Sequence, residues 1–199
     1  MFDTYLRNTK DRLVEPLACR MAFLSPNIAS ILGLLFALFS AFFAVHEAYL
    51  WGLVAWLLSR ALDGLDGLLA RLHNKETDFG GYLDIILDFV AYAAVPLGFG
   101  LGAASQNIYL ALAVLLSSYY INSASWMYMA AILEKRAVRN PATRTTIIMP
   151  VGLVGGFETI VTYSLFFILP QYLVQIFVIF SILIFITVIQ RLIWAYQTL

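Results

Sequence analysis

Between Phe89 and Leu133 the chain runs 45 residues without one charged side chain. A soluble domain carries roughly a quarter charged residues, so a run of this length implies hydrocarbon surroundings. A helix needs about 20 apolar residues to cross a bilayer core. The run is therefore too long for one crossing and is read as two. The break is expected in Gly98-Phe-Gly-Leu-Gly-Ala-Ala-Ser-Gln-Asn107. The whole chain agrees: of 199 residues, 62% are hydrophobic and 12% charged, with a mean hydropathy of +0.85. The expected fold is all-α: a polytopic membrane protein of six transmembrane helices, preceded by an amphipathic interfacial helix. Residues 1–24 form the juxtamembrane segment in this reading, and 25–199 a single six-helix domain.

Phe2, Leu6, Leu13, Leu17 and Met21 recur at helical spacing with charges between them. That pattern suits a helix lying in the membrane interface, or one packed on the cytoplasmic end of the bundle. Residues 1–20 mix both charge signs, so no cleavable signal is expected. Ser25-Pro26 is a helix-start signal for a first span ending near Val45. The other spans are expected at about 48–71, 80–99, 108–133, 146–169 and 172–189. A single cysteine, Cys19, excludes an internal disulfide.

Net charge is zero, so nothing points to nucleic acid as a partner. The distribution of charge is more informative. All twelve Lys and Arg residues fall on one side of the six-span layout. The positive-inside rule makes that side cytoplasmic, with both termini there.

Four aspartates interrupt this apolar chain on the same side. Asp63 and Asp66 are three apart near the end of the second span; Asp84 and Asp88 are four apart near the start of the third. Residues at those spacings share a helix face. Two helices joined by a short polar loop can aim all four acids into one space. Like charges so placed repel, and hard divalent cations such as Mg²⁺ or Mn²⁺, two of them for preference, would remove the conflict. The plainer alternative is ion pairing with Arg60, Arg71 and Lys75. Gly67 and Gly80 let backbone approach a bulky diphosphate; close helix packing is the alternative for Gly67, Gly80 and Gly81.

The spacing Asp63-x2-Asp66-Gly67-x2-Ala70-Arg71-x8-Gly80-x3-Asp84-x3-Asp88 resembles the signature of the CDP-alcohol phosphotransferase family, with all eight positions filled. The resemblance implies transfer of a substituted phosphate from a CDP-linked lipid, CDP-diacylglycerol above all, to an acceptor alcohol, with release of CMP. It implies that Asp63, Asp66 and Asp84 are metal ligands. Asp88 would be the general base and a further metal contact. Gly67, Ala70, Arg71 and Gly80 would bind the nucleotide of the donor. Asn27, which otherwise reads as a cap or turn residue, matches a Pro-Asn pair near the cytidine diphosphate. The resemblance also implies a homodimer.

The acceptor is read from charge. Lys135, Arg136, Arg139 and Arg144 form a basic loop that satisfies the topology rule or holds a phosphate on the acceptor. Glu158, expected some three turns into the fifth span, is a candidate for orienting the acceptor hydroxyl or for pairing with Arg191. It could equally be protonated or hydrogen-bonded within the bundle. Glycerol 3-phosphate is the expected acceptor and phosphatidylglycerol, giving a cardiolipin synthase, the alternative. An ion-coupled transporter also places carboxylates in a membrane, but it calls for repeated halves that the sequence lacks.

Overall fold

The computed structural model describes residues 24–139 and 152–199, apart from the side chains of 137–139. The amphipathic segment at 2–21 and Arg144 lie outside the described residues. Among the described residues there are six α-helices: α1 (Pro26–Val45), α2 (Tyr49–Leu72), α3 (Asp78–Ala103), α4 (Gln106–Arg139), α5 (Gly156–Ile168) and α6 (Leu173–Thr198). A 3₁₀ turn, Pro170–Tyr172, joins the last two.

The helix starts follow local chemistry. Ser25 Oγ accepts from Ile28 N, and Pro26 occupies the first turn of α1. Thr77 Oγ1 caps α3 by accepting from Gly80 N at 3.0 Å. The turn between α2 and α3 closes through Lys75 N donating to Ala70 O at 2.8 Å, with Asn74 at a positive φ of 50°.

Among the described residues, α1, α3, α4 and the stretch 170–198 are long and apolar enough to cross a membrane. The protein is an integral membrane protein on that ground. The six helices match the expected count, but two of them are unlike the other four. α2 has 24 residues and carries Arg60, Asp63, Asp66 and Arg71. α5 has only 13 residues, about 20 Å at helical rise, shorter than a bilayer core. The fifth helix was expected from 146. Gly155 instead sits extended at its N-cap and Gly152–Gly155 is not helical, because glycine gains least from helix. The break after α3 falls at Ala104, in the left-handed conformation. Gly98, Gly100 and Gly102 stay helical.

Those glycines are packing residues. A Cβ at Gly98 would strike the backbone of Ala41, and one at Gly102 the backbone of Ala44 and Val45. Across from them α1 buries only small side chains: Ala29, Ser30, Gly33, Ala37, Ser40 and Ala44. Small residues let membrane helices approach closely. α1 thereby packs against both α2 and α3, and it is the shared support of the two acid-bearing helices. On the far side, Trp56, Tyr163, Phe166, Phe99 and Phe177 build an aromatic core joining α2, α3, α5 and α6.

Candidate active site

The four aspartates meet across the cleft between α2 and α3. Asp63 and Asp88 share Arg60, whose Nη1 lies within 3.4 Å of both carboxylates, and Asp66 and Asp84 line one cavity. The motif therefore divides into two cross-helix pairs. No group of three or more acids, cysteines or histidines closes on a single point among the described residues.

Each pair has its own support. Asp66 is buried and accepts from Ser30 Oγ of α1 and from Gly67 N. Arg60, one turn before Asp63, serves the other pair. Its Nη1 donates to Asp88 Oδ1 at 2.8 Å and lies 3.4 Å from Asp63 Oδ1. The same nitrogen donates to Tyr92 Oη at 3.2 Å, and Nη2 donates to Ser59 Oγ at 3.0 Å. The guanidinium also stacks over the rings of Trp56 and Tyr92, 4.8 and 5.1 Å from their centroids. The ion-pair alternative is thus realised for Arg60.

A cavity of about 210 Å³ opens beside Asp66 and Asp84. It is lined by Asn27, Gly67, Ala70, Arg71 and Gly80, the five residues expected to touch the donor nucleotide, together with Ser30 and Lys75. A Cβ at Gly67 would meet only the end of Arg71, at 3.4 Å, and one at Gly81 nothing within 4 Å. Neither glycine serves helix packing. Gly80 is tighter, with Thr77 Oγ1 and Asn27 Oδ1 at 3.0 and 3.2 Å from its Cβ position.

The residues expected at the acceptor do not converge. Glu158 stands in the first turn of α5, exposed, and accepts from Gly155 N at 2.9 Å. It is a helix-start residue here, not one three turns into the membrane, because α5 begins late. Arg191 does not take up the anticipated pairing with Glu158. It is buried in α6, and its Nη1 donates to Asn122 O, Asn122 Oδ1 and Ser125 Oγ at 3.1–3.3 Å. Arg136 reaches the chain end, donating to Thr198 O and Leu199 O. Lys135 is exposed. The side chain of Arg139 lies outside the described residues.

Ser30, Arg60 and Tyr92 were missed as site residues. Each stands three or four residues from one that was singled out: Asn27, Asp63 and Asp88. Helical spacing alone was a usable signal.

Comparison with known proteins agrees with this arrangement. The chain is 37% identical over 177 residues to inner membrane protein YnjF of Escherichia coli, covering 88% of this chain and 85% of that protein. It is 26% identical over 191 residues to an archaetidylinositol phosphate synthase of Methanothermobacter thermautotrophicus, covering 94% and 91%. In fold it is similar to Mycobacterium tuberculosis phosphatidylinositol phosphate synthase with CDP-DAG bound, at a TM-score of 0.69 and 20% identity over 91% and 92% of the two chains. The same enzyme with manganese and citrate gives a TM-score of 0.66 at 20% identity, over 89% and 86%. Residues 23–196, which hold the paired aspartates and the glycine-lined cavity beside them, match the CDP-alcohol phosphatidyltransferase family, and the chain belongs to it.

Proposed function

We propose that this protein transfers a phosphatidyl group from CDP-diacylglycerol to an acceptor alcohol and releases CMP. One observation carries the reading: Asp66 and Asp84 line a cavity whose other walls include Asn27, Gly67, Ala70, Arg71 and Gly80, while Asp63 and Asp88 both contact Arg60. The fold relative with CDP-DAG bound supports the choice of donor.

The donor set suits a hard cation. All four side chains offer carboxylate oxygen, the hard donor that Mg²⁺ and Mn²⁺ prefer. Asp63, Asp66, Asp84 and Asp88 would hold Mg²⁺ or Mn²⁺, as two ions. The relative with manganese supports the metal class. Bound there, such ions screen the diphosphate and stabilise the departing phosphate.

The protein's own side chains supply the rest. Ser30 and Gly67 N fix Asp66, so that it enters the reaction in one orientation. Arg71 makes charge-assisted bonds to the donor diphosphate. Asp88, positioned by Arg60, takes the proton of the acceptor hydroxyl. That oxygen bonds to the phosphorus bearing diacylglycerol. The anhydride P–O bond breaks, and its electron pair leaves with CMP.

The acceptor is glycerol 3-phosphate or phosphatidylglycerol. Lys135, Arg136, Arg139 and Arg144 are the cations proposed to serve a phosphate on either. All six helices span, with both termini and the site cytoplasmic. The protein works as a homodimer.

The test is direct. Purified protein is given CDP-diacylglycerol, Mg²⁺ or Mn²⁺ and a set of acceptors, and CMP is measured. Release that depends on metal and acceptor is expected. Asp88→Asn should abolish it while donor binding persists; normal turnover by that variant would remove Asp88 from the role of base.

A further inference from the structure

A second, larger cavity of about 870 Å³ has Tyr92, a partner of Arg60, in its wall. It sits between α3, α4, α5 and α6, and Phe89, Tyr92, Tyr119, Trp126, Met127 and Gly156 are among its walls. Its size is that of a ligand site, roughly 300–1,000 Å³. Nothing in the proposed chemistry has yet used it.

Three observations bear on its occupant. The described residues lining it include no charged side chain; polarity comes from tyrosines, Asn122, Ser123 and Thr159. Its walls include outward-facing apolar residues. Tyr120 is 77% exposed, Met127 46%, Trp126 40% and Phe89 38%. In a membrane protein such residues face hydrocarbon, so the cavity opens sideways into lipid. Third, one of its walls is linked to Asp88: Tyr92 Oη accepts from Arg60 Nη1, which also donates to Asp88 Oδ1.

We infer that this cavity seats the acceptor, and that the acceptor is a hydroxyl-bearing lipid rather than a small water-soluble alcohol. The inference rests on the phosphatidyltransferase reading and narrows it. The donor nucleotide occupies the cleft beside Asp66 and Asp84. The acceptor's apolar tail occupies the larger cavity, which brings its hydroxyl to Asp88 between the two. A small phosphorylated alcohol would gain little from these walls. Burying a lipid tail gains about 25 cal/mol for each Å² of apolar surface removed from water. A hydroxyl-bearing lipid already resides in the bilayer onto which the cavity opens.

Gly156 provides the test. It lines the cavity, and a Cβ there meets nothing within 4 Å, so Gly156→Leu is the substitution chosen to obstruct the space. CMP release is measured in detergent with dihexanoyl-phosphatidylglycerol, dihexanoylglycerol and glycerol 3-phosphate as competing acceptors. A lipid alcohol should be used at least tenfold more efficiently than glycerol 3-phosphate. Gly156→Leu should raise its KM at least tenfold and leave the donor KM unchanged. Native mass spectrometry of delipidated protein should show a lipid-alcohol adduct that Gly156→Leu loses. Preference for glycerol 3-phosphate, with Gly156→Leu harmless, overturns the inference and leaves the transferase reading standing. A rise in the donor KM instead would give the cavity to the donor's own chains. A change of oligomeric state would make it an interface between copies. Either result overturns the inference. If no acceptor releases CMP, the transferase reading fails, and the adduct decides the cavity by itself: its absence overturns lipid binding there.

Discussion

Arg60 Nη1 and Asp88 Oδ1 stand 2.8 Å apart, joining the two acid-bearing helices through a single hydrogen-bonded ion pair. Arg60 is buried against Trp56 and Tyr92 and also lies beside Asp63. Breaking a buried pair by removing one partner costs about 3–5 kcal/mol; Asp88 is a quarter exposed, which lowers that figure. Arg60→Ala should lower the melting temperature in detergent and reduce CMP release at least a hundredfold. Arg60→Lys should recover stability in part but little turnover, since a lysine ammonium lacks the planar fork that reaches two acids and stacks on rings. Equal activity for both variants and the wild type would deny Arg60 any positioning role.

Gly67 and Gly98 should respond oppositely to enlargement. Gly67→Val projects into the donor cavity, where only the end of Arg71 is near. It should raise the donor KM tenfold or more with an unchanged melting temperature. Gly98→Val drives a side chain into the backbone of Ala41. Overpacking of that kind costs about 1–3 kcal/mol, and here the rigid backbone puts it at the upper end. Thermal melts beside donor titrations separate the two effects.

Ser30→Ala removes the hydroxyl that donates to Asp66. A hydrogen bond to a charged group contributes about 1.5–3 kcal/mol. If Asp66 binds metal, the variant should need roughly tenfold or more additional Mg²⁺ for half-maximal CMP release, with the donor KM little changed. A metal titration at saturating donor checks this, and an unshifted curve would mean that Ser30 serves only packing between α1 and α2.

Metal removal gives the broadest test. Chelator should abolish turnover, and Mn²⁺ or Mg²⁺ should restore it. Asp63→Ala and Asp66→Ala should lose metal response and activity together. Full activity in chelator would deny the four carboxylates the role of metal ligands.

Much of the architecture was legible along the chain. The cap at Ser25, the apolar spans and the shared faces of Asp63 with Asp66 and Asp84 with Asp88 all depend on contacts within a turn or two. The five residues expected around the donor nucleotide line one cavity for the same reason, since four of them sit close to the acids on α2 and α3. Asn27 is the exception, brought there by α1. Glu158 was misplaced because a long apolar run conceals where a helix starts when glycines precede it.

Sequence alone determined that the chain is a helical membrane protein with four acids on two helix faces, because hydropathy and helical period are local properties. Only the tertiary structure decided how the four acids divide. It brought Asp63 and Asp88 to Arg60, bonded Asp66 to Ser30 and set it with Asp84 in one cavity wall, and opened a second cavity, with no charged side chain among its described walls, beside Tyr92. Those outcomes depend on how far α1 holds α2 and α3 apart. That distance is set by small side chains and glycines packing between residues remote in the chain.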